Sequence, residues 1–290
     1  MNGKAKILIT GSKGMLGSSF VDCLNIGVIK SYSSDDLDVT NYEKFVNLME
    51  FDKPDIIIHT EAYTDVEGCE INKDKAYLVN TMGTQNVVNY CIGKEVLLIY
   101  ISSTGVYGSL NRIEQYNEFD DINPTTIHHK SKYEAEKLIE KHLSRFLIIR
   151  TGWLFGGDKN HNKNFVYKRY LEAKDQNVIY SDNSQIGNPT YIVDLVDQIK
   201  LLIKYRQYGT FNCVNKANNI SRFDYVKKII ELFNINSNVE VAPHNMFNRI
   251  SPVSKNESAI NYKLDILGLN IMGDWEGSLT KYIKKLKNSI

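Results

Sequence analysis

The chain has 290 residues and a formal net charge of +1, with acidic and basic side chains interspersed along its length. This length is enough to bury a large core in one elaborate domain or two lobes. The charge balance argues against a surface made for nucleic acid or for an anionic membrane, and no apolar run is long enough to cross a bilayer. The four cysteines lie far apart in the sequence, and this spacing favours reduced thiols. We therefore expect a cytoplasmic protein that binds neither nucleic acid nor membrane.

The first predicted element is a buried strand at residues 6–10, which runs into a loop with three glycines, Gly11, Gly14 and Gly17. An apolar segment follows and predicts a helix to about Asn25. Glycines let the backbone approach a ligand closely, and the N–H groups of a new helix bind an anion. A dinucleotide pyrophosphate is the usual anion in this arrangement, so the sequence predicts a nucleotide site rather than a plain tight turn.

The second predicted strand, at residues 28–32, ends without an acidic residue. Many NAD-binding folds place a carboxylate there to hold the adenosine ribose, whereas this chain has serine hydroxyls and Lys30. The strand end therefore favours NADP slightly over NAD as the cofactor.

Strands and helices then alternate through the first half of the chain, which predicts right-handed βαβ crossovers and a parallel sheet covered on both faces. The sequence predicts a Rossmann-type, doubly wound α/β domain over residues 1–155, rejoined by about 188–215, and a smaller mixed α/β substrate lobe over 156–290. The strands are predicted at 56–59, 96–101, 146–149 and 209–214. The helices are predicted at 42–51, 74–91, 132–143, 165–173, 192–204, 221–233 and 275–286.

Polar side chains cluster at three predicted strand ends, in the segments 59–64, 102–108 and 128–132. With these motifs in this order, the chain resembles the extended short-chain dehydrogenase/reductases, and within them the dTDP-4-dehydrorhamnose reductase family. The resemblance covers nearly the whole chain. It is carried by the glycine loop, the segments 36–41, 62–70, 150–155 and 164–165, Asn80, Gln185 with Gly187, Pro189 and Thr190, and a closing helix with Trp275.

The resemblance implies hydride transfer from NADPH or NADH to the 4-keto carbon of a nucleotide-linked 6-deoxy sugar, in the synthesis of surface-polysaccharide precursors. In that family a Ser or Thr, a Tyr and a Lys cooperate. The Tyr donates a proton to the carbonyl oxygen, and the Lys ammonium assists it and holds the nicotinamide ribose. By register Ser103 matches the Ser or Thr and Lys132 matches the Lys, whereas the Tyr position is His128.

The resemblance also implies the binding residues. Cofactor contacts are expected from Gly11, Gly14, Met15, Leu16, Gly17, Asp38, Val39, Glu61, Ala62, Tyr63, Asn80, Ser102 and Lys132. Substrate contacts are expected from Ser103, Thr104, Tyr107, Trp153, Asn164 and Gln185, although core packing explains Tyr107 equally well. The expected partner is a nucleotide sugar, and a homodimer is one assembly the sequence allows. No metal site is expected, because no histidine has ligand spacing with cysteines or acids.

The role of Glu61 is left open, because it replaces a small residue that the family has near the cofactor. A carboxylate there either binds a ribose hydroxyl or repels the pyrophosphate. In the second lobe, Ser251-Pro252 replaces an Arg-Pro segment that contacts phosphate in the family, and Arg249 lies close by in the sequence.

His128 and Lys132 are four residues apart, so on a helix they share one face and can converge on one cleft. A neutral imidazole can donate a hydrogen bond to the oxyanion that forms as hydride arrives. Two alternatives remain: a non-catalytic dinucleotide- or sugar-nucleotide-binding protein with a solvent-facing His128, and an epimerase of the same superfamily. A second Tyr-x-x-x-Lys match, Tyr133 with Lys137, is rotated away from the Lys132 face and is expected to be structural.

Overall fold

The structure is a computed structural model that describes residues 4–108, 112–243 and 246–290. Its strands, in chain order, are β1 (Ala5–Thr10), β2 (Gly27–Tyr32), β3 (Ile56–His59), β4 (Leu97–Ser103), β5 (Phe146–Thr151), β6 (Trp153–Phe155), β7 (Val178–Ser181), β8 (Ile186–Gly187), β9 (Pro189–Tyr191), β10 (Gly209–Asn212), β11 (Ile220–Ser221) and β12 (Asn238–Val241). Its helices are α1 (Met15–Cys23), α2 (Tyr42–Asp52), α3 (Val66–Ile71), α4 (Lys73–Tyr77), α5 (Thr84–Cys91), α6 (Ile127–His142), α7 (Phe165–Asp175), α8 (Ile192–Lys204), α9 (Arg222–Phe233), α10 (Tyr262–Ile266) and α11 (Trp275–Lys287).

Six strands form the central sheet in the order β10-β5-β4-β3-β1-β2, and every neighbouring pair is parallel. Successive side chains of a strand point to opposite faces, so a sheet covered by helices on both faces needs apolar residues at every position. In β1, Ile7 and Ile9 join one apolar core and Leu8 joins the other. The predicted Rossmann-type parallel sheet is confirmed.

The second half of the chain contributes to this sheet and adds small sheets of its own. Strand β10 pairs with β5 at the sheet edge, within the segment that was expected to rejoin the first domain. The other pairs are β6 with β9, β7 with β12, and β8 with β11, the last of which is antiparallel. One apolar core contains Phe20 and Ile149 from the first half together with Tyr225 and Trp275 from the second. The division into two lobes stays a prediction.

Two helices differ from their predicted bounds near the predicted site. The predicted helix at 74–91 is interrupted by a π-helical turn, Leu78–Gly83, which lies between α4 and α5. Helix α6 begins at Ile127, five residues before the predicted start, because the Thr126 hydroxyl oxygen accepts a hydrogen bond from the His129 N–H and caps the helix. His128 therefore lies in the first turn of α6.

Candidate active site

The glycine loop between β1 and α1 leaves room only for backbone. A Cβ atom on Gly17 would lie 2.2 Å from the carbonyl oxygen of Gly11, and Gly11 itself has a φ of +69°. Gly14 caps α1 without a side-chain hydrogen bond. The N–H groups of the first turn of α1 are therefore not covered by a capping side chain, and they form the kind of anion site that holds a pyrophosphate.

The other predicted cofactor residues surround this loop to different degrees. Leu16, Val39 and Ser102 are buried, whereas Met15, Ala62 and Tyr63 are half-buried. Asp38 is exposed, and its carboxylate accepts hydrogen bonds from the backbone N–H and the hydroxyl of Thr40. The Ser102 hydroxyl is buried and has no hydrogen-bond partner among the described residues. Their contacts with a cofactor stay predictions.

Glu61 lies directly against the glycine loop. A Cβ atom on Gly11 would come within 2.9 Å of the Glu61 backbone nitrogen. One carboxylate oxygen, Oε2, is buried without a hydrogen-bond partner among the described residues. Burial, together with the nearby Asp38 carboxylate, raises the pKa of Glu61 to about 7. The side chain therefore changes its charge near neutral pH at the edge of the predicted pyrophosphate site.

The π-helical turn places Asn80 where it organises the loop after β3. The Asn80 side-chain oxygen accepts a hydrogen bond from the Tyr63 N–H at 2.7 Å, and its amide nitrogen donates to Ser131 Oγ at 2.9 Å. The same nitrogen lies 3.2 Å from the Tyr63 carbonyl oxygen. Asn80 thus ties the 60–65 loop to α6 rather than leaving its amide free for a ligand.

His128 is not turned toward solvent: it is only 7% exposed. Its Nδ1 lies 3.1 Å from the Tyr63 carbonyl oxygen. Because a carbonyl can only accept, Nδ1 carries the proton. Burial, with smaller contributions from His129 and Lys132, lowers the pKa of His128 well below its usual value of 6.5, so the ring is neutral. The other ring nitrogen, Nε2, therefore presents a lone pair and acts as an acceptor.

Lys132 is 5% exposed on the same helix, one turn after His128. Its Nζ lies 4.6 Å from the centre of the Tyr100 ring, and it forms no salt bridge with any carboxylate in the described part of the chain. The nearby Glu136 carboxylate instead pairs with Arg150 at 2.7 Å. Burial lowers the pKa of Lys132 to about 8. A buried ammonium without a carboxylate partner is available to bind the hydroxyls of a ligand.

The alternative pair, Tyr133 and Lys137, lies outside this cluster. Lys137 is exposed and forms a salt bridge with Glu134 at 2.7 Å. Its Nζ also lies 5.2 Å from the centre of the half-buried Tyr133 ring. Both side chains are thus engaged with each other and with the surface of α6.

Ser103 ends β4 and is half-buried. Its Oγ accepts a hydrogen bond from the Gly105 N–H at 3.1 Å and lies 3.3 Å from Nε2 of His129. The His129 ring occupies the space beside Gly105, where a Cβ atom would come within 2.2 Å of the ring. The sequence motifs assign no role to His129. Only its position beside His128 hints at a role in the sequence. The contact with Ser103 is not visible there, because Gly105, which makes room for the ring, lies 24 residues earlier in the chain.

The predicted substrate residues separate into two groups. Tyr107 and Asn164 are fully engaged inside the protein: the Tyr107 hydroxyl donates to Asn212 at 2.8 Å, and the Asn164 amide donates to the Tyr282 hydroxyl at 2.6 Å. Thr104 is also buried. For Tyr107, this placement favours core packing over substrate contact.

Trp153 and Gln185 lie instead beside two guanidinium groups. The Arg222 guanidinium carbon is 3.4 Å from the centre of the Trp153 ring, and Gln185 Oε1 lies 3.4 Å from nitrogens of both Arg222 and Arg249. Burial lowers the pKa of Arg222 to about 10, still far above neutral pH. The sequence does not predict a role for Arg222, because at the first position of α9 it looks like an ordinary surface residue.

Residues 4–108, 112–243 and 246–290 contain neither a cluster of metal ligands nor a membrane-spanning helix. No group of three or more His, Cys, Asp or Glu side chains in these ranges is placed to hold a metal ion. No helix in the same ranges combines the length and the apolar character that a membrane span requires.

The chain is similar to known reductases over much of its length. The dTDP-4-dehydrorhamnose reductase of Aggregatibacter actinomycetemcomitans is 32% identical over 194 residues, which are 66% of this chain and 65% of that protein. The dTDP-4-dehydrorhamnose reductase of Mycobacterium tuberculosis (strain ATCC 25618 / H37Rv) is 26% identical over 294 residues, covering 98% of this chain and 94% of its own.

A solved structure and a family model extend the match to nearly the whole chain. The dTDP-4-dehydrorhamnose reductase of Bacillus anthracis str. Ames, in complex with NADP, superimposes with a TM-score of 0.92 at 32% identity, covering 97% of this chain and 99% of its own. The model of the RmlD substrate binding domain matches residues 5–288. The resemblance inferred from the motifs is thereby confirmed, and the chain belongs to the family of the RmlD substrate binding domain.

Proposed function

We propose that the chain is an NAD(P)H-dependent oxidoreductase that reduces the 4-keto group of a dTDP-linked 6-deoxy sugar, in the synthesis of polysaccharide precursors. Its family and the NADP complex of its Bacillus anthracis relative support this activity and this cofactor. The observation that carries the proposal is the Lys132 ammonium, which is buried without a carboxylate partner among the described residues, one helical turn from His128. Such a cation is costly to bury unless a ligand uses it.

The glycine loop fits a dinucleotide, because Gly17 packs so closely on the Gly11 carbonyl oxygen that a Cβ atom would lie only 2.2 Å from it, and because no side chain caps the first turn of α1. When bound, the nicotinamide supplies the hydride. Met15, Leu16 and the glycines would hold the pyrophosphate, and Lys132 would hold the nicotinamide ribose. The position of the loop at the carboxyl ends of parallel strands, where such folds bind their ligands, supports these proposed contacts.

The residues of the chain then act on the sugar oxygen. As the carbonyl carbon is reduced, its oxygen takes up negative charge and needs a positioned hydrogen-bond donor and a nearby cation. Lys132 supplies the cation, and with a pKa of about 8 it can also pass a proton to the oxygen. Ser103 supplies a hydroxyl. The sequence predicted that His128 donates a hydrogen bond to the carbonyl oxygen. Because Nδ1 carries the proton, Nε2 is instead an acceptor, and His128 orients a sugar hydroxyl or a water molecule.

The proposal is tested by mixing the purified protein with NADPH or NADH and a panel of nucleotide-linked 4-keto-6-deoxy sugars, and following the absorbance of the reduced nicotinamide. We expect turnover that Lys132→Met abolishes. The matched control is Lys137→Met, which removes the exposed lysine of the same helix and should leave turnover unchanged. His128→Tyr restores the residue that the family uses at this position and should raise kcat.

One outcome would reject the enzyme proposal. If the protein binds NADPH but turns over none of these sugars, and His128→Tyr does not create activity, the non-catalytic dinucleotide-binding alternative replaces it.

A further inference from the structure

We propose that His129 and Thr126 form a hydrogen-bond chain that turns the Ser103 hydroxyl into an obligatory donor toward the substrate carbonyl oxygen. This inference rests on the proposed reductase function and assigns a positioning role to a histidine that the sequence motifs left without one. The chain runs from Thr126 Oγ1 to His129 Nδ1, at 3.0 Å, and from His129 Nε2 to Ser103 Oγ, at 3.3 Å.

The direction of the chain is fixed at Thr126. This hydroxyl is fully buried, and its oxygen already accepts a hydrogen bond from the His129 backbone N–H at 3.2 Å. Its own proton has one acceptor within reach among the described residues, which is Nδ1 of His129. A buried hydroxyl proton left without an acceptor is unfavourable, so Thr126 donates to Nδ1. A neutral His129 ring then carries its proton on Nε2.

The neutral state of the ring follows from its surroundings. His129 lies in the buried first turn of α6, with the His128 ring centre 5.0 Å away. Burial is the largest influence on the pKa of His129 and lowers it; the Glu257 carboxylate opposes this effect, and the Lys132 ammonium adds to it. The ring is therefore uncharged at neutral pH and holds one proton on Nε2.

At Ser103 the hydrogen bonds leave one direction for the hydroxyl proton. The oxygen accepts from Gly105 N–H and from His129 Nε2–H, which uses both of its lone pairs. Its proton has no acceptor among the described residues, and the side chain is half-buried at the carboxyl end of β4, where parallel sheets bind their ligands. The Ser103 proton is thus available to an oxygen of the substrate.

This arrangement places the donor function at Ser103 while His128 is an acceptor. The two histidines hold opposite tautomers: His128 is protonated on Nδ1 by its contact with the Tyr63 carbonyl oxygen, and His129 is protonated on Nε2. Loss of His129 would free a lone pair of Ser103 and allow its hydroxyl to rotate away from the substrate oxygen. The loss should weaken binding of the transition state more than binding of the substrate.

The tautomers can be measured without any substrate. Nitrogen-15 NMR of the histidine-labelled protein distinguishes a protonated from a bare ring nitrogen, and the His128→Gln and His129→Gln spectra assign the two rings among the six histidines of the chain. We expect His129 bare at Nδ1 and protonated at Nε2, and His128 the reverse. A proton on Nδ1 of His129 would overturn the proposal, because Ser103 would then have to donate to the ring instead.

Kinetics provide the second test. His129→Leu should lower kcat about tenfold or more and change KM by less than about twofold, because a lost oxyanion donor acts mainly on the transition state. His129→Gln keeps an N–H group that can reach Ser103 and should recover most of the loss, which a merely structural role would not predict. The matched control is His142→Leu, which removes an exposed histidine of the same helix.

The two tests separate the possible failures. Equal losses in His129→Gln and His129→Leu, with both variants folded by circular dichroism, would overturn the positioning role. If the wild-type protein turns over no sugar but shows the expected tautomers, the reductase function fails and the hydrogen-bond chain stands.

Discussion

Replacing Glu61 with Gln should strengthen cofactor binding at alkaline pH and reduce the dependence of this binding on pH. The carboxyl group lies beside the glycine loop and has a pKa of about 7, raised first by burial and then by Asp38. Above this pH a negative charge faces the predicted pyrophosphate site, and below it the group is neutral and can donate a hydrogen bond. Glu61 therefore opposes cofactor binding only when its carboxyl group is ionised.

The pKa sets the size of the effect. If the cofactor bound only the protonated form, the dissociation constant would rise about 30-fold between about pH 6 and about pH 8.5, which is the upper limit.

The Glu61 carboxyl group also affects the stability of the fold. Because the folded pKa lies above the usual 4.5, stability falls as the pH rises from 4.5 through about 7, by at most about 3.4 kcal/mol, and the loss is complete above that pH. Glu61→Gln should recover this loss.

The assay is fluorescence titration of the protein with NADH across this pH range. NADH is the better probe because it lacks the 2′-phosphate of NADPH, which itself titrates near pH 6. Glu43→Gln, an exposed acid on α2, is the matched control and should behave as wild type. Urea unfolding at both ends of the range reports the stability change. A dissociation constant that rises equally with pH in wild type and in Glu61→Gln would refute the reasoning.

Two further substitutions test the fold around the site. Gly17→Ala should abolish cofactor binding, because its Cβ would lie 2.2 Å from the Gly11 carbonyl oxygen; Gly93→Ala, at a positive φ with no atom within 4 Å, is the control and should keep full affinity in the same titration. Glu136→Gln should lower the free energy of unfolding by about 3–5 kcal/mol in urea, because it leaves the Arg150 guanidinium buried without its carboxylate partner. A loss below about 1 kcal/mol would show that water or another group compensates Arg150.

Local patterns were enough to predict the sheet and the order of its strands along the chain. A short, continuous apolar run such as that of β3 is typical of a buried strand. The glycine loop after the first strand predicts that a helix follows it. The same patterns do not show a π-helical turn, because the spacing of apolar residues around Asn80 fits an α-helix equally well. The start of α6 was missed because the cap at Thr126 precedes a polar first turn.

The site was predicted less completely, since its contacts join distant parts of the chain. The motif register identified His128 and Lys132 but could not show that the Tyr63 carbonyl oxygen, 65 residues earlier, fixes the proton of the imidazole. Nor could it show that His129 reaches Ser103, which requires the space beside Gly105. The stacking of Arg222 on Trp153 likewise depends on the packing of α9 against the strands of the second half.

The apolar core that joins both halves of the chain limits how the protein can move. Phe20 and Ile149 share this core with Tyr225 and Trp275, so a hinge opening between the halves would expose large aromatic and aliphatic surfaces to water. Such exposure costs far more than a ligand of ordinary affinity returns. We therefore expect the two halves to lose their structure in one cooperative transition on heating.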